Sequence, residues 1–332
     1  MSLRALRVPL RVLHRPKTST AVGWSALGIA ILAGSTSVTF AAALAGALSP
    51  LSMLFISESL MMLFTILSFG VIPITQRLMR LNRGTWMAII TVALSNSVIA
   101  PLLVFTGIRM TGPVNAELFI RFENIVLVIL AVLLLRERMM WNQTLGALCI
   151  FAGVAIVALR GFSQGIALSM GDAYILLASI FYGCGGIVFR RHLHKVPPEL
   201  VMFCRACAGM GVFFLLSPFM LQTLLKELRA FPMELIVALI GYGFFSRFLN
   251  LFCFYEAMER LPVYRVSLLL NLTIIASLAF ANAYLGSPIK PYHIAGAGFI
   301  LMGSVLMEIN MLHSHKSKLI AASLKQRHRS HV

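Results

Sequence analysis

Ten runs of mostly apolar residues follow one another along the chain, separated by short breaks. A helix needs about 20 residues to cross the roughly 30 Å hydrocarbon core of a bilayer, and the runs have about this length. Several breaks contain proline, which lacks a backbone donor and suits the first turn of the next helix. The pattern predicts an all-α membrane protein with ten transmembrane helices. Numbered 1 to 10 from the N-terminus, the runs cover residues 22–46, 50–72, 86–107, 113–135, 142–160, 171–189, 200–220, 233–254, 262–285 and 291–310.

The overall composition argues against two other classes of protein. Of the 332 residues, 59% are hydrophobic and 12% are charged, whereas about a quarter of the residues of soluble proteins are charged. The net charge of +17 would suit a nucleic-acid partner. However, the basic residues come in short bursts between the runs and not on one face mixed with aromatic residues. We therefore expect the lipid bilayer, and no nucleic acid, as a partner.

The distribution of Lys and Arg predicts how the runs are oriented. If the N-terminus is cytoplasmic, the cytoplasmic segments hold 20 of these residues and the opposite segments hold 5, when Arg265 and Arg160 at run ends are counted with the neighbouring segments. The other three lie deeper inside runs. Cytoplasmic loops of membrane proteins carry such an excess. We therefore expect residues 1–21 and 311–332 to be basic cytoplasmic tails of a protein in the bacterial plasma (inner) membrane. The Arg-rich start of the chain also fits a mitochondrial transit peptide, or a cleaved signal peptide that ends near residues 41–49.

Two glycine-marked stretches indicate an internal repeat. GALCIFAGVAIVAL (146–159) and GAGFILMGSVLMEI (296–309) lie 150 residues apart and share apolar and small residues at the same positions. Small residues seven positions apart lie on one helix face, so we expect these glycines to let a neighbouring helix approach closely. The aligned glycines are Gly146 with Gly296 and Gly153 with Gly303.

The length of the repeat predicts its orientation in the membrane. A repeat of 150 residues contains five runs, so the two copies cover residues 22–160 and 171–310. Because five is odd, the second copy must enter the membrane from the opposite side. Two inverted five-helix repeats place a site between them near the midplane, and alternating access follows from that architecture.

Run 4 begins with charges that a membrane helix seldom carries. Glu117, Arg121 and Asn124 share one face at spacings i, i+4 and i+7, while Glu123 points elsewhere. A charge near the bilayer centre costs several kcal/mol, so this stripe should face protein or a wet cavity. Glu117 precedes Arg121 in the order that favours an ion pair. Two interpretations remain: the residues bind a solute, or the pair only holds the bundle together.

Polar residues also recur on runs 2, 3, 7, 8 and 9, which together with run 4 are the predicted walls of a cavity. A guanidinium suits a carboxylate or phosphate, and a buried carboxylic acid can bind an amine or carry a proton. The residues expected to bind substrate are Glu117, Arg121, Asn124, Arg247, Asn250, Arg205, Asn96 and Asn271. Those expected to carry a coupling proton are Glu58, Glu117 and Glu123.

The sequence contains none of the catalytic or nucleotide motifs that such a chain would need as an enzyme or ATP-driven pump. There is no GxxxxGK[ST] loop, no HExxH and no nucleophile elbow. The five cysteines lie inside apolar runs, which favours packing, and the histidines are expected in tails and loops. We therefore expect no enzyme activity, no cofactor and no metal.

Two stretches resemble one known group of transporters. LLLRERMMWNQTLGALCIFAGVAIVAL (133–159) is similar to the end of helix 4, the acidic loop and the glycine-rich helix 5 of the drug/metabolite transporter superfamily, EamA type. GDAYILLASIFYGCGGIVFRR (171–191) resembles the start of its sixth helix. The resemblance implies ten helices in two inverted repeats, a central cavity, solute transport without ATP, and helices 5 and 10 packed away from that cavity. Glu137 matches the family's loop glutamate and is expected to act in folding or orientation, while the second repeat has LGSP (285–288) at that place.

These observations predict a multi-pass transporter that moves a small charged or zwitterionic organic solute by alternating access. An amino-acid-like metabolite is the first expectation, with export favoured and with proton exchange or facilitation as the driving force. A homodimer is compatible with this interpretation. Two alternatives remain open: a flippase of a lipid or lipid-linked headgroup, and a scaffold or receptor that transports nothing.

Overall fold

The computed structural model describes residues 20–135, 141–160, 169–193, 196–261 and 263–307. Every regular element within these ranges is helical. The predicted basic tails lie outside the described residues except for Thr20 and Ala21, and the loop residue Glu137 lies outside them as well.

Eight helical segments of the described chain are long and apolar enough to cross a membrane. They correspond to runs 1, 2, 3, 5, 6, 7, 8 and 9. In chain order they are Thr20–Ala45, Pro50–Phe69, Arg83–Thr111, Trp141–Ala158, Met170–Leu193, Pro198–Leu216, Met233–Met258 and Leu268–Leu285.

Runs 4 and 10 are helical but do not form long continuous spans in the described residues. Run 10 is the apolar helix Pro291–Met307. Run 4 consists of two helices, Pro113–Ile120 and Glu123–Leu135. An additional short helix, Val71–Leu78, follows run 2, and the helix of run 7 extends to Arg229.

The helices begin where the local sequence satisfies their first backbone donors. Pro50, Pro113 and Pro198 each occupy the first turn of a helix, where their missing N–H leaves no bond unmade. At the start of run 6, the Ser169 hydroxyl accepts from the Asp172 N–H, and the Asp172 carboxylate accepts from the Ser169 N–H. The proline-marked breaks therefore set helix starts as the sequence indicated.

Runs 4 and 9 are interrupted at matching places. The interruptions lie at Arg121–Phe122 and Asn271–Leu272, which are 150 residues apart. At each one the backbone switches to i→i−3 hydrogen bonds, such as Phe122 N to Phe119 O at 3.0 Å and Leu272 N to Leu269 O at 2.9 Å. The expectation that run 4 is one regular helix was therefore wrong.

Runs 3 and 8 also carry matching irregularities. Each contains a π-helical stretch, Leu94–Ile99 in run 3 and Tyr242–Leu249 in run 8. Such wide turns inside α-helices are rare and occur frequently at functional sites. Irregular backbone at membrane depth is tolerated where it is covered by protein or lines a cavity.

Runs 5 and 10 pack directly on each other through glycine. A Cβ atom built on Gly146 would lie 2.6 Å from the Gly303 carbonyl oxygen, and one built on Gly153 would lie 2.6 Å from the Gly296 carbonyl oxygen. Residue numbers rise along one helix as they fall along the other, so the two helices are antiparallel. The missing side chains allow the backbones to touch.

Several other helix pairs recur when runs 1–5 are exchanged with runs 6–10, a relation called here the exchange rule. Run 1 packs on run 8 as run 6 packs on run 3, and run 1 packs on run 9 as run 6 packs on run 4. Run 2 packs on run 8 as run 7 packs on run 3, while run 2 also packs on run 7. Each of these pairs therefore has a counterpart that is reached by exchanging runs 1–5 with runs 6–10, whereas the contact of run 1 with run 3 has no comparable counterpart between the described residues of runs 6 and 8.

The outer surface of the bundle is apolar. Large hydrophobic side chains are highly exposed on several runs, with Leu67 of run 2 at 72% and Leu215 of run 7 at 77% of their maximum accessible area. A soluble monomer rarely exposes wide apolar areas. Together with the length of the helices, this surface identifies the chain as an integral membrane protein.

Candidate functional site

Three acidic and three basic side chains lie inside the apolar runs 2, 4, 7 and 8. A charge placed there requires a partner or access to water, because hydrocarbon offers neither. The six residues are Glu58, Glu117, Glu123, Arg121, Arg205 and Arg247.

Glu58 of run 2 and Arg247 of run 8 form an ion pair between helices. Nη2 of Arg247 donates to Oε1 of Glu58, whose side chain is fully buried. Run 7 leaves room for this carboxylate with Gly209, where a Cβ would lie 2.6 Å from Cγ of Glu58. Oε2 of Glu58 and Nε of Arg247 are buried and make no hydrogen bond with any described residue. This pair holds run 2 against run 8 and retains one free acceptor and one free donor.

Glu117 and Arg121 form a second ion pair within run 4. Nη2 of Arg121 donates to Oε1 of Glu117 just before the interruption. The Ser277 side chain of run 9 lies beside the same carboxylate. The Glu117 side chain is 5% exposed and that of Arg121 is 22% exposed. The pair is therefore partly open, unlike the pair formed by Glu58.

Arg205 of run 7 is held by neutral oxygens. Its Nε donates to Oγ of Ser97 at 2.7 Å, and its Nη2 donates to the carbonyl oxygen of Asn96 at 3.2 Å. Both acceptors belong to the π-helical stretch of run 3. Among the described residues Arg205 has no ion-pair partner, so its positive charge is not neutralised by direct contact.

Glu123 forms no ion pair with any residue in the described ranges. It starts the second helix of run 4, where a negative charge complements the helix dipole. Tyr182 of run 6 lies near both Glu123 and Arg205, and Tyr255 of run 8 also lies near Arg205. Arg121 also lies near Glu123. Glu123 and Arg205 thus flank the same tyrosine, and neither forms a direct ion pair among the described residues.

A small cavity of about 50 Å³ lies beside these groups. Its polar lining consists of Ser37, Tyr182, Tyr242 and Arg247, and the remaining lining is apolar. Ligand pockets usually have volumes of about 300–1,000 Å³. In this conformation the cavity is therefore too small for an organic solute.

Two predicted site residues face neighbouring helices. Nδ2 of Asn124 donates to Oγ of Ser304 in run 10 at 3.5 Å. Oδ1 of Asn250 would lie 3.1 Å from a Cβ built on Gly34 of run 1. That Asn124 shares a binding face with Glu117 and Arg121 stays a prediction.

The asparagines of runs 3 and 9 lie closer to the irregular backbone. The Asn96 side chain rests against Gly185 of run 6, and its Oδ1 is buried without a hydrogen bond to any described residue. Asn271 is buried at the interruption of run 9, where it has a bonding partner. Both residues therefore belong to the polar centre.

His293 was expected in a loop and lies inside a helix instead. It is 5% exposed in the first turn of Pro291–Met307, and its Nε2 is hydrogen-bonded to Oδ1 of Asn115 at 2.9 Å. This contact and the one between Asn124 and Ser304 connect run 10 to run 4. The helix begins at Pro291, which suits a first helical turn, so His293 lies within the helix and not in the loop before it.

Three residues near the charged centre were missed by the sequence reasoning: Ser179 and Tyr182 of run 6 and Tyr242 of run 8. The hydroxyl of Ser179 donates within run 6 to Ile175 O at 3.0 Å and also reaches the carbonyl oxygens of Phe119 and Ile120 at 3.3 and 3.4 Å. These carbonyls lie at the interruption of run 4, where regular helix bonds are lost. The glycines of YGCGG (182–186) were the available signal, because Gly183 packs on Val126 of run 4.

An apolar exterior, a charged centre and paired interruptions of the helices define a multi-pass membrane protein of the transporter type. The chain belongs to the EamA-like transporter family, whose model matches residues 22–159 and again residues 169–309. The resemblance seen in the sequence is thereby confirmed, and the family is one of membrane transporters. Among the described residues, no group of three or more His, Cys, Asp or Glu side chains is arranged to hold a metal ion.

Several curated transporters are similar to this chain. "Uncharacterized transporter YyaM" of Bacillus subtilis is 25% identical over 204 residues, which are 60% of this chain and 66% of YyaM. An "Uncharacterized transporter" of Methanothermobacter thermautotrophicus is 25% identical over 63% of this chain and 60% of its own length. "Uncharacterized transporter sll1164" of Synechocystis sp. is 23% identical over 76% of this chain and 73% of its own. The chain thus matches less than two thirds of the length of the first two relatives.

One solved crystal structure has a similar fold. It superposes with a TM-score of 0.57 at 16% sequence identity, and the superposition covers 86% of this chain and 95% of that chain. At this identity the similarity shows a shared fold and nothing about the solute.

Proposed function

We propose that this transporter moves a small charged or zwitterionic organic solute by alternating access and without ATP. The observation that carries the proposal is the unequal pairing of the central charges. Glu58, Glu117, Arg121 and Arg247 are used in two ion pairs. Arg205 and Glu123 are in no ion pair with described residues, so they are the charges that a solute would meet.

Arg205 suits an anionic group of the solute. Its fork of N–H donors matches a carboxylate. If a solute carboxylate displaced the neutral oxygens of Ser97 and Asn96 from Arg205, no buried carboxylate of the protein would lose its partner. By contrast, binding at Arg247 would have to break a buried pair, which costs about 3–5 kcal/mol. Glu123 would receive an amine, and Tyr182 would lie between the two. A zwitterion resembling an amino acid satisfies both charges at once.

The other predicted residues have supporting roles in this proposal. Asn96 and Asn271 would contact the solute, because they lie at the irregular turns of runs 3 and 9. Protonation of Glu58 or Glu117 would release Arg247 or Arg121, which is a physical route for coupling to protons. We favour export, in keeping with the sequence interpretation.

The proposed architecture is ten transmembrane helices in two inverted repeats, residues 22–160 and 171–310. Support comes from the double match of the family model, from the interruptions 150 residues apart and from the exchange rule of helix pairs. The antiparallel contact of runs 5 and 10 maps onto itself when Gly146 is exchanged with Gly296 and Gly153 with Gly303. Such symmetry is expected when one copy is turned over relative to the other.

Contacts between helix ends support the proposed alternation of the helices across the membrane. The Arg77 side chain bonds Glu199 at 2.5 Å, and both residues belong to segments assigned to the cytoplasm. The Ser49 hydroxyl donates to Glu227 at 3.2 Å, and both belong to the opposite side. These contacts agree with the alternation that the basic residues predict.

The direct test is transport by purified protein in proteoliposomes, with solutes first selected from a metabolite library by thermal stabilisation. Arg205→Gln should lower the flux of a selected zwitterion at least about tenfold, and Glu123→Gln should do the same. Arg109→Gln is the matched control, because Arg109 is exposed at the end of run 3. Normal flux in the Arg205 variant would overturn the proposal. Movement of lipid headgroups without any soluble solute would favour the flippase alternative.

A further inference from the structure

An apolar groove of about 200 Å³ lies on the side of the bundle between runs 3 and 7. Its lining includes Leu78, Trp86, Ile89, Phe203 and Cys207. The groove reaches the surface, since Cys207 is exposed. It therefore opens toward the hydrocarbon of the bilayer.

The short helix Val71–Leu78 closes one end of this groove. Its buried residues Ile74 and Leu78 pack in one cluster with Leu200 at the start of run 7. The ion pair between Arg77 and Glu199 fixes the same helix from its polar side. Leu78 is thus held in place as a wall of the groove.

Positive charge is concentrated at this closed end. Arg80 lies two residues after Leu78, Arg83 lies three residues before Trp86, and both are exposed. Neither arginine forms an ion pair with a residue in the described ranges. Arg83 also begins the helix Arg83–Ala93, whose N-terminus adds partial positive charge. The Asn82 side chain caps only one N–H of that helix, at 2.7 Å from Thr85 N.

We propose that the groove binds an anionic phospholipid, with an acyl chain along Ile89 and Phe203 and its phosphate at Arg80 and Arg83. An apolar groove with two exposed arginines within three residues of its lining residues Leu78 and Trp86 matches an amphiphile with a negative head. Zwitterionic lipids fit less well because they bring their own ammonium group. Basic residues at the cytoplasmic surface attract anionic lipid, and tryptophan is favoured at the interface. The lipid proposal does not rest on the proposed function.

Lipid binding to the full-length protein in detergent, measured by native mass spectrometry with phosphatidylglycerol and phosphatidylcholine, tests the headgroup contact. Replacing both arginines, Arg80→Gln with Arg83→Gln, should weaken phosphatidylglycerol binding by about 25-fold and leave phosphatidylcholine binding unchanged. Arg109→Gln is the control, because it removes an exposed charge at the other end of run 3. Equal loss in the control, or no loss in the double variant, would overturn the proposal.

A second variant tests the acyl chain. Cys207→Phe fills the groove and should weaken phosphatidylglycerol binding, whereas Leu215→Phe, on the exposed apolar face of the same helix, should not. Inorganic phosphate at millimolar concentration serves as the competing headgroup. If phosphate alone displaces the lipid fully and Cys207→Phe has no effect, the site binds a free anion and the lipid proposal fails.

Discussion

Two junctions between runs occupy corresponding places in the 150-residue repeat but differ in charge. Run 2 meets run 8 through the ion pair of Glu58 and Arg247. Run 7 meets run 3 through hydrogen bonds from Arg205 to neutral oxygens, one of them the Ser97 hydroxyl. The residues 150 positions from Glu58 and Arg247 are Ala208 and Ser97. The second junction therefore lacks the carboxylate, and its arginine stands at a different place on run 7.

Under the proposed function, equivalent helix contacts of the repeat have different tasks. A buried guanidinium that is neutralised by a carboxylate binds two helices together but has little charge left for a ligand. A guanidinium held only by neutral oxygens keeps its net charge in a medium of low dielectric constant, where an anion is strongly attracted. We therefore assign holding to the first junction and binding to the second.

The largest expected effect comes from removing the carboxylate of the paired junction. Glu58→Gln leaves Arg247 buried without its counter-ion, which should lower the free energy of unfolding by about 3–5 kcal/mol. Unfolding in detergent micelles with increasing denaturant measures this loss. The double variant Glu58→Gln with Arg247→Gln should recover more than half of it, because no charge remains buried. If Glu58→Gln were as stable as the native protein, the ion pair would not stabilise the contact between runs 2 and 8.

The next experiment makes the unpaired junction resemble the paired one. In the native protein the Ser97 hydroxyl accepts from Nε of Arg205 at 2.7 Å. Ser97→Asp replaces this hydroxyl with a carboxylate. The new ion pair should occupy the arginine and reduce solute flux in proteoliposomes by more than about tenfold, with little loss of stability. Ser97→Asn introduces a side chain of the same size as Asp but without its charge, and should retain most of the flux. If both variants transport equally, the charge of Arg205 is not what the solute recognises.

The sequence predicted the helices well because their determinants are local. A run of apolar residues and a proline such as Pro50 or Pro198 act within a few positions of the chain, so length and turn chemistry suffice. The pairing of Glu58 with Arg247 could not be predicted in this way. It joins residues 189 positions apart. The sequence also places other acidic and basic residues inside the runs, so it does not indicate which of them pair.

The interruption of run 4 was also hidden from the sequence. The apolar period continues through Phe122 without glycine or proline, so the local pattern favours an unbroken helix. The carbonyls of Phe119 and Ile120 at the interruption are approached by the Ser179 hydroxyl, about 60 positions further along the chain. A tertiary contact thus supports a backbone conformation that local propensity does not indicate.

The smallest expected effect concerns a second inequality, between the interruptions of runs 4 and 9. Run 6 offers Ser179 to the interruption of run 4, whereas the residue 150 positions earlier in run 1 is Ile29, which has no hydroxyl. Ser179→Ala should therefore make the two interruptions alike and lower the free energy of unfolding by about 1 kcal/mol. Ser35→Ala is the control, because the Ser35 hydroxyl is buried and bonds only Leu32 O of its own helix at 2.7 Å. The Ser179 variant should lose more stability than the control, since only Ser179 also bonds the carbonyls of run 4. Equal losses would mean that the interruption of run 4 stands without this hydroxyl, and that the two halves differ in their charges but not in how their broken helices are supported.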